Sequence, residues 1–517
     1  MEKPPKTDNK IQKIEFKILL QSIEFWLYFL CFAIISLSFY YFSGLNSVSF
    51  NSDQAVQVLM IKDFQWPSDA YYWGQNRLGS LLPLISYILY AFLKIHPIIL
   101  VSIVNYAMLL IGWIIFSKFL KSNWAKLLFC IAIFLPHPAY FFIILIGHPY
   151  QGQFFTLALS TLFFNNLYSK IASFEKWNFK DYLKLISTIF TSLLAVWVSE
   201  LSLVFYAFIL FYILFSNEIR KAIFSISVFK SNLLMPIITS ISLLLLGFFL
   251  LIDLKHNFES DPVYDLIFID SFEKISLQFH YFYSQLIDVL LLQNHHTVFE
   301  CLFYYAVIFS IIVVVFNFKK IDKTNQQIFK SLGLTFVVAV VLLFFSSWNF
   351  RSKYDPKYYT LLYALFYVFI GVGFNALNQI KQIVLFVMLS TTILYSNFLF
   401  LKIYYDEKSV LEQYNSVIDL PKGTLVSDYW KAYKIAAIGF DSLEGVPKDY
   451  WNCRNIDKIK KWSKNENFYF IKSELFEFEK HNDTLFFKNM KFIPTNTFYK
   501  IDIDTLILYK NLSANFY

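Results

Sequence analysis

The sequence predicts an all-α polytopic membrane protein with a small α/β domain at its C-terminal end. Three observations carry this. Apolar runs of roughly the length a helix needs to cross a bilayer recur up to residue 401. Of the 517 residues, 57% are hydrophobic and 16% charged, where a soluble protein averages roughly a quarter charged. Beyond residue 402 charged and amide residues become frequent, and the apolar runs shorten to strand length. A β-barrel is excluded, because barrel strands alternate and lack such runs. The 61 Phe and 35 Tyr suit lipid-facing and interfacial positions. The net charge of +8 sits in short loops between the runs, so it gives no ground for nucleic acid as a partner.

Taken in order, residues 1–24 are expected as a cytoplasmic N-terminal segment, basic and polar over 1–17, with no small-residue cleavage site after the first apolar run. That favours a retained first helix over a signal peptide. Spans are expected near 25–45, 97–118, 124–143, 151–168, 183–197, 200–216, 232–252, 298–317, 330–346, 358–377 and 381–401, about eleven crossings. The run 77–94 is apolar enough to cross, but loop charge argues against it. With 77–94 kept outside, about twenty lysines and arginines fall in inner loops and fewer than half as many outside. This predicts a cytoplasmic N-terminus in the inner or plasma membrane, a transmembrane domain 25–401 with an outer loop 46–96, and an outer-face α/β domain 402–517. Strands are expected at 468–471, 484–487, 498–503 and 505–509, and a helix at 430–438. The segment 253–297 reads as a long polar loop. Cys31, Cys130, Cys301 and Cys453 show neither a disulfide framework nor a zinc motif.

The polar stretch 46–94 organises the rest. It holds Asp53, Asp63, Asp69, Arg77 and the run Tyr71-Tyr72-Trp73-Gly74-Gln75. An interfacial loop with a short amphipathic helix after Asp53 is expected, closing over a cavity in the helices behind it. Asp53 follows Asn51-Ser52, so it reads as part of a helix cap, as a general base or a carboxylate that orients an acceptor, or as both. Arg351, Lys353 and Lys357 cluster against the charge bias, as interfacial anchors or as a phosphate clamp. Glu200 stands at a helix break, where a carboxylate is either wetted or functional. His148 and Tyr150 lie in the irregular turn Gly147-His148-Pro149-Tyr150. The adjacent pair His295-His296 has poor geometry for one metal and reads as solvent-exposed.

The stretch from Asp53 through Gly74-Gln75-Asn76-Arg77-Leu78-Gly79-Ser80-Leu81-Leu82-Pro83 resembles the first outer loop of GT-C glycosyltransferases. It is most similar to bacterial members related to the protein mannosyltransferases and aminoarabinose transferases. Arg351 with Tyr358-Tyr359-Thr360 is similar to their late outer loop. The resemblance covers some sixty residues plus the hydropathy layout. It implies inverting transfer of a sugar from a polyprenyl-phosphate donor to a glycan, lipid or protein acceptor, beside membrane lipid. Asp53 takes the catalytic acidic position. Arg351, Lys353 and Arg77 would bind the donor phosphate, and Tyr72, Gln75, His148, Tyr150, Glu200 and Tyr358 the substrates. Two departures matter. The familiar acidic pair is Asp53-Gln54 here, and 136–152 lacks a second acidic residue. No cofactor follows from this pattern, and the departures weigh against a divalent metal. A transporter or flippase of lipid-linked sugars, a polysaccharide polymerase or ligase, and a noncatalytic scaffold are the rival readings. The absence of an internal repeat argues against a transporter.

Overall fold

Bilayer-length apolar runs have few alternatives to the helix, because unpaired backbone groups are too costly in hydrocarbon. A computed structural model describes residues 8–46, 50–62, 64–173, 175–217, 220, 233–258, 268–269, 271–291, 298–352, 355–403, 410–417, 419–449, 464–481, 483–501 and 504–512. In the helical part, α1 is Asp8–Phe42, α2 Ser52–Leu59, α3 Leu81–Leu93, α4 Pro97–Ser117, α5 Asn123–Phe134, α6 Tyr150–Ser173, α7 Phe179–Val198 and α8 Val204–Phe215. It continues with α9 Leu234–His256, α10 Phe272–Leu290, α11 Val298–Phe316, α12 Lys323–Phe344, α13 Ser347–Arg351, α14 Thr360–Phe374 and α15 Gln379–Ile403. Each of the eleven expected runs meets one of these helices, 124–143 in its first part alone. Among the described residues, seven helices are long and apolar enough to cross a membrane, and α3, α5, α8 and α11 are shorter apolar helices.

Three departures have local causes. The polar segment before the first run is helical from Asp8, so α1 is one 35-residue helix. The run 124–143 breaks after Phe134 because Pro136 and Pro138 intervene; His137 then caps a 3-10 turn, Pro138–Ile143. The expected polar loop 253–297 instead continues α9 to His256 and contains α10. Helix α10 starts at Ser271, whose side chain accepts from the Lys274 amide. With 13 residues, α3 is roughly 20 Å long. That is shorter than a hydrocarbon core of about 30 Å.

The C-terminal domain adds α16 Val410–Val417 and α17 Tyr429–Ile438 to seven strands: β1 Gly423–Ser427, β2 Leu443–Pro447, β3 Asn467–Ile471, β4 Glu479–His481, β5 Thr484–Phe487, β6 Met490–Ile501 and β7 Asp504–Asn511. The sheet order is β2-β1-β3-β7-β6-β5-β4. Strands β2, β1 and β3 run parallel, and the remainder pair antiparallel. Strands β1, β2 and β4 were not expected from the sequence. All five β1 residues are buried, so its run lacks alternation and is too short to separate from a loop by pattern alone.

One apolar core joins the two parts. Ala55, Val56 and Leu59 of α2 share it with Tyr433, Ala436, Ala437 and Ile438 of α17. Lys62 ties the seam, donating to Glu444 at 2.8 Å and to the Phe440 carbonyl at 2.9 Å.

Candidate active site

Asn51, not Asp53, caps α2: its side chain accepts from the amides of Asp53 (3.0 Å) and Gln54 (3.3 Å). That releases the Asp53 carboxylate for other partners. Its Oδ1 accepts from the Tyr429 hydroxyl at 2.9 Å. The Tyr72 hydroxyl stands 3.3 Å from the same oxygen and 3.3 Å from the Asp53 carbonyl. Neighbouring Ser52 is directed into the C-terminal domain, its Oγ lying 2.9 Å and 2.8 Å from the carbonyls of Tyr429 and Trp430.

The loop after α2 is built to present Tyr72. Buried Asp69 accepts from the Gln65 amide and the Trp73 indole, both at 2.8 Å, which satisfies it structurally. A tight turn returns the Gln75 amide to the Tyr72 carbonyl at 2.9 Å and passes through Gly74 at φ 73°, where a side chain would be strained. Leu78 bridges to Ser199, and the Gly79 amide donates to the Val198 carbonyl, which joins the loop to the end of α7. Gly147 passes so close to α2 that a Cβ there would stand 2.9 Å from the Asp53 carbonyl carbon and the Gln54 nitrogen.

Behind this loop lies a cavity of about 640 Å³. Asp53, Tyr72, Gln75, Arg77, His148, Tyr150, Glu200 and Tyr358, all named from the sequence, line it. Its walls continue through Trp197 and Ser199, the last turns of α9 at Leu251, Ile252 and Lys255, the end of α12 at Leu342 and Leu343, and Lys357. Arg351, in contrast, is exposed at the end of α13 and is not among the lining residues. Lys353, Asp63, His295 and His296 lie outside the described residues. Lys357 belongs to the basic cluster read from the sequence and is the member of it that reaches the cavity. Lys255 and Tyr429 had no sequence signal as site residues. A separate void of about 60 Å³, lined by Phe116, Phe164, Tyr212 and neighbours, carries no charged side chain.

The charges are arranged in pairs. Glu200 and Lys255, both on the cavity wall, form an ion pair. Lys357 pairs with Asp355 at 2.8 Å. The Arg77 Nε donates to Gln75 Oε1 at 3.4 Å. Burial pushes the His148 pKa down to about 4; nearby Lys357 acts in the same direction, and Asp53 and Asp355 oppose it. The imidazole is therefore neutral near pH 7. It stacks on Tyr150 at 5.9 Å and meets Phe142 edge-on at 4.6 Å. Of the acids at and beside the cavity, Asp53 accepts through Oδ1 from Tyr429, and lysines hold Glu200 and Asp355. Among the described residues no three His, Cys, Asp or Glu side chains group as metal ligands.

No protein-family model and no curated protein matches the sequence. Solved structures do match the fold. The apo structure of ArnT from Cupriavidus metallidurans aligns over 95% of this chain and 99% of its own, at 9% identity and a TM-score of 0.50. Two structures of the Archaeoglobus fulgidus oligosaccharyltransferase align more loosely. One is in complex with an inhibitory peptide and a dolichol-phosphate, at 9% identity and TM-score 0.42, over 87% of this chain and 70% of its own. The other is tethered to an acceptor peptide, at 10% and 0.43, over 86% and 69%. The ArnT alignment spans both the helical part and the C-terminal domain, so this chain is a multi-pass membrane protein that shares the fold of that structure.

Proposed function

We propose that the protein transfers a sugar from a polyprenyl-phosphate-linked donor to an envelope glycan, lipid or protein acceptor on the outer face of the membrane. The observation that carries this reading is the convergence of separate chain stretches on one cavity that holds Asp53, Arg77 and Lys357 together. A hydroxyl is a weak nucleophile at neutral pH and needs a base beside it. Asp53 takes the acceptor proton as the acceptor oxygen bonds to the anomeric carbon. The bond from that carbon to the donor phosphate breaks, and polyprenyl phosphate leaves with the electron pair. The configuration inverts because attack and departure are on opposite sides.

We assign the phosphate clamp to Arg77 together with Lys357, both on the cavity wall. Arginine suits the task through its two-pronged donor geometry. Neutral His148 can exchange hydrogen bonds with sugar hydroxyls without adding charge. Tyr150 and Tyr358 offer ring faces, and Gln75 and Glu200 offer polar contacts to sugar or acceptor. Apolar side chains of α9 and α12 on the same wall suit the first isoprene units. The test is mass analysis of envelope glycans from cells with and without the gene. A glycan that loses one defined sugar in the deletion supports the reading. An unchanged glycan, lipid and protein inventory contradicts it.

A further inference from the structure

The Asp53 carboxylate meets a hydroxyl that lies 376 positions away in sequence and belongs to the C-terminal domain. We propose that this domain completes the active site, with Tyr429 as a positioning residue that fixes the Asp53 carboxylate for proton transfer. The proposal rests on the reading of Asp53 as the general base.

Two consecutive residues of α2 hold Tyr429. Ser52 Oγ lies 2.9 Å from its backbone carbonyl, and Asp53 Oδ1 lies 2.9 Å from its hydroxyl. The tyrosine is buried, with its ring edge-on to Trp430 at 5.2 Å and Tyr433 at 5.5 Å. Its helix start is fixed too. Asp428 accepts from the amides of Trp430 (2.8 Å) and Lys431 (3.0 Å). The Asp428 amide donates to Glu474 at 3.3 Å, and Ser427 Oγ donates to the other Glu474 oxygen at 3.0 Å. Lys448 pairs with Glu474 at 3.2 Å. The ends of β1 and β2 are thereby connected through Glu474 and α17 to the Asp53 carboxylate.

Distance decides which donor matters more. Hydroxyl hydrogen bonds run from about 2.5 to 3.0 Å. Tyr429 at 2.9 Å falls within that range and Tyr72 at 3.3 Å outside it. Without the C-terminal domain, Asp53 would keep only the longer contact. With it, Oδ1 is occupied, and Oδ2 accepts no hydrogen bond from a described residue. The cavity-lining carboxylate is then held in one rotamer with Oδ2 left for the acceptor proton. Small misplacements of a catalytic group can cost roughly a hundredfold in rate. The bland alternative is a tyrosine that only helps two domains adhere.

The test uses the full-length chain in proteoliposomes. The probe is polyprenyl-linked sugar lipid extracted from the parent strain, and the readout is transfer per molecule of protein. Tyr429→Phe keeps the ring and the backbone contact to Ser52. It should lower kcat roughly tenfold or more, with KM for the lipid and the melting temperature unchanged. In an Asp53→Asn background it should cause no further loss. Parent-like kcat for Tyr429→Phe beside an inactive Asp53→Asn overturns this inference and leaves the reading of Asp53 standing. A lowered melting temperature with unchanged kcat reduces Tyr429 to a structural contact and also overturns it. A loss of the same size in both backgrounds places its action elsewhere. Parent-like transfer by Asp53→Asn removes the underlying reading itself.

Discussion

Helix α2 has eight residues of mixed polarity and buries seven of them. Helix α9 has 23 mostly apolar residues, of which Pro236 is the one that is buried. In a soluble protein the apolar helix would be the hidden one. Here lipid covers α9, so it needs no protein on its outer side. Helix α2 is enclosed by α4, the loop after it and α17. Polar side chains buried in that way must find partners. Buried Ser52 and half-buried Asp53 find theirs in the C-terminal domain, at Trp430 and Tyr429. Polarity concentrated in a protein-enclosed end of a membrane protein points to chemistry there, while apolarity along the bundle points only to the bilayer.

The sharpest contrast is one of function. Arg77 lies at the enclosed end and lines the cavity. Arg77→Ala should lower donor use by about a hundredfold, since losing one partner of a desolvated charge pair costs a few kcal/mol. Arg77→Lys should recover only part of this. Transfer rates titrated against donor lipid would show it, and an unchanged KM and rate for Arg77→Ala would dissolve the clamp.

Packing offers the next contrast. Leu59 on α2 is 4% exposed, and Leu245 on α9 is 67% exposed to the space lipid fills. Leu59→Ala should destabilise by about 2–5 kcal/mol. Leu245→Ala should fall within about 0.5 kcal/mol of the parent. Melting curves in lipid nanodiscs compare them directly, and equal losses would mean that Leu245 packs against protein.

A smaller effect concerns pH. The His148 pKa is lowered to about 4 from the ordinary 6.5. As pH falls, the unfolded chain takes up this proton first. The contribution is therefore complete above about pH 6.5 and is lost as pH falls toward about 4; it is worth at most about 3 kcal/mol. His148→Gln should flatten the fall in melting temperature between pH 7 and 4.5. An identical pH profile in the variant would show that the imidazole is not buried as described.

The same contrast explains what could be read from the sequence. Runs of apolar residues report the bilayer directly, so each of the eleven expected spans meets a helix, although 124–143 is cut short at Phe134. Amphipathic α10 escaped because half of its face is polar, and β1 escaped because five buried residues show no alternation. At the site, residues near one another in the chain, such as Asp53, Tyr72, Gln75 and Arg77, were legible as a polar cluster following a span. Glu200 and His148 were legible as polar residues at helix breaks. Arg351 was singled out by charge bias, which is a property of loops, whereas the turn Pro356–Tyr359 gives the cavity position to Lys357. Tyr429 left no local trace, because its role depends on α17 packing against α2 across two domains.

Transfer depends most on Asp53 acting as a base. Asn51 supplies the helix cap, so Asp53→Asn should leave a folded, membrane-inserted protein. The decisive measurement is transfer per molecule of this variant beside the parent, from the same lipid-linked donor in proteoliposomes. A base at Asp53 predicts a normal melting temperature with transfer reduced by about a hundredfold or more. Transfer near the parent rate would contradict it.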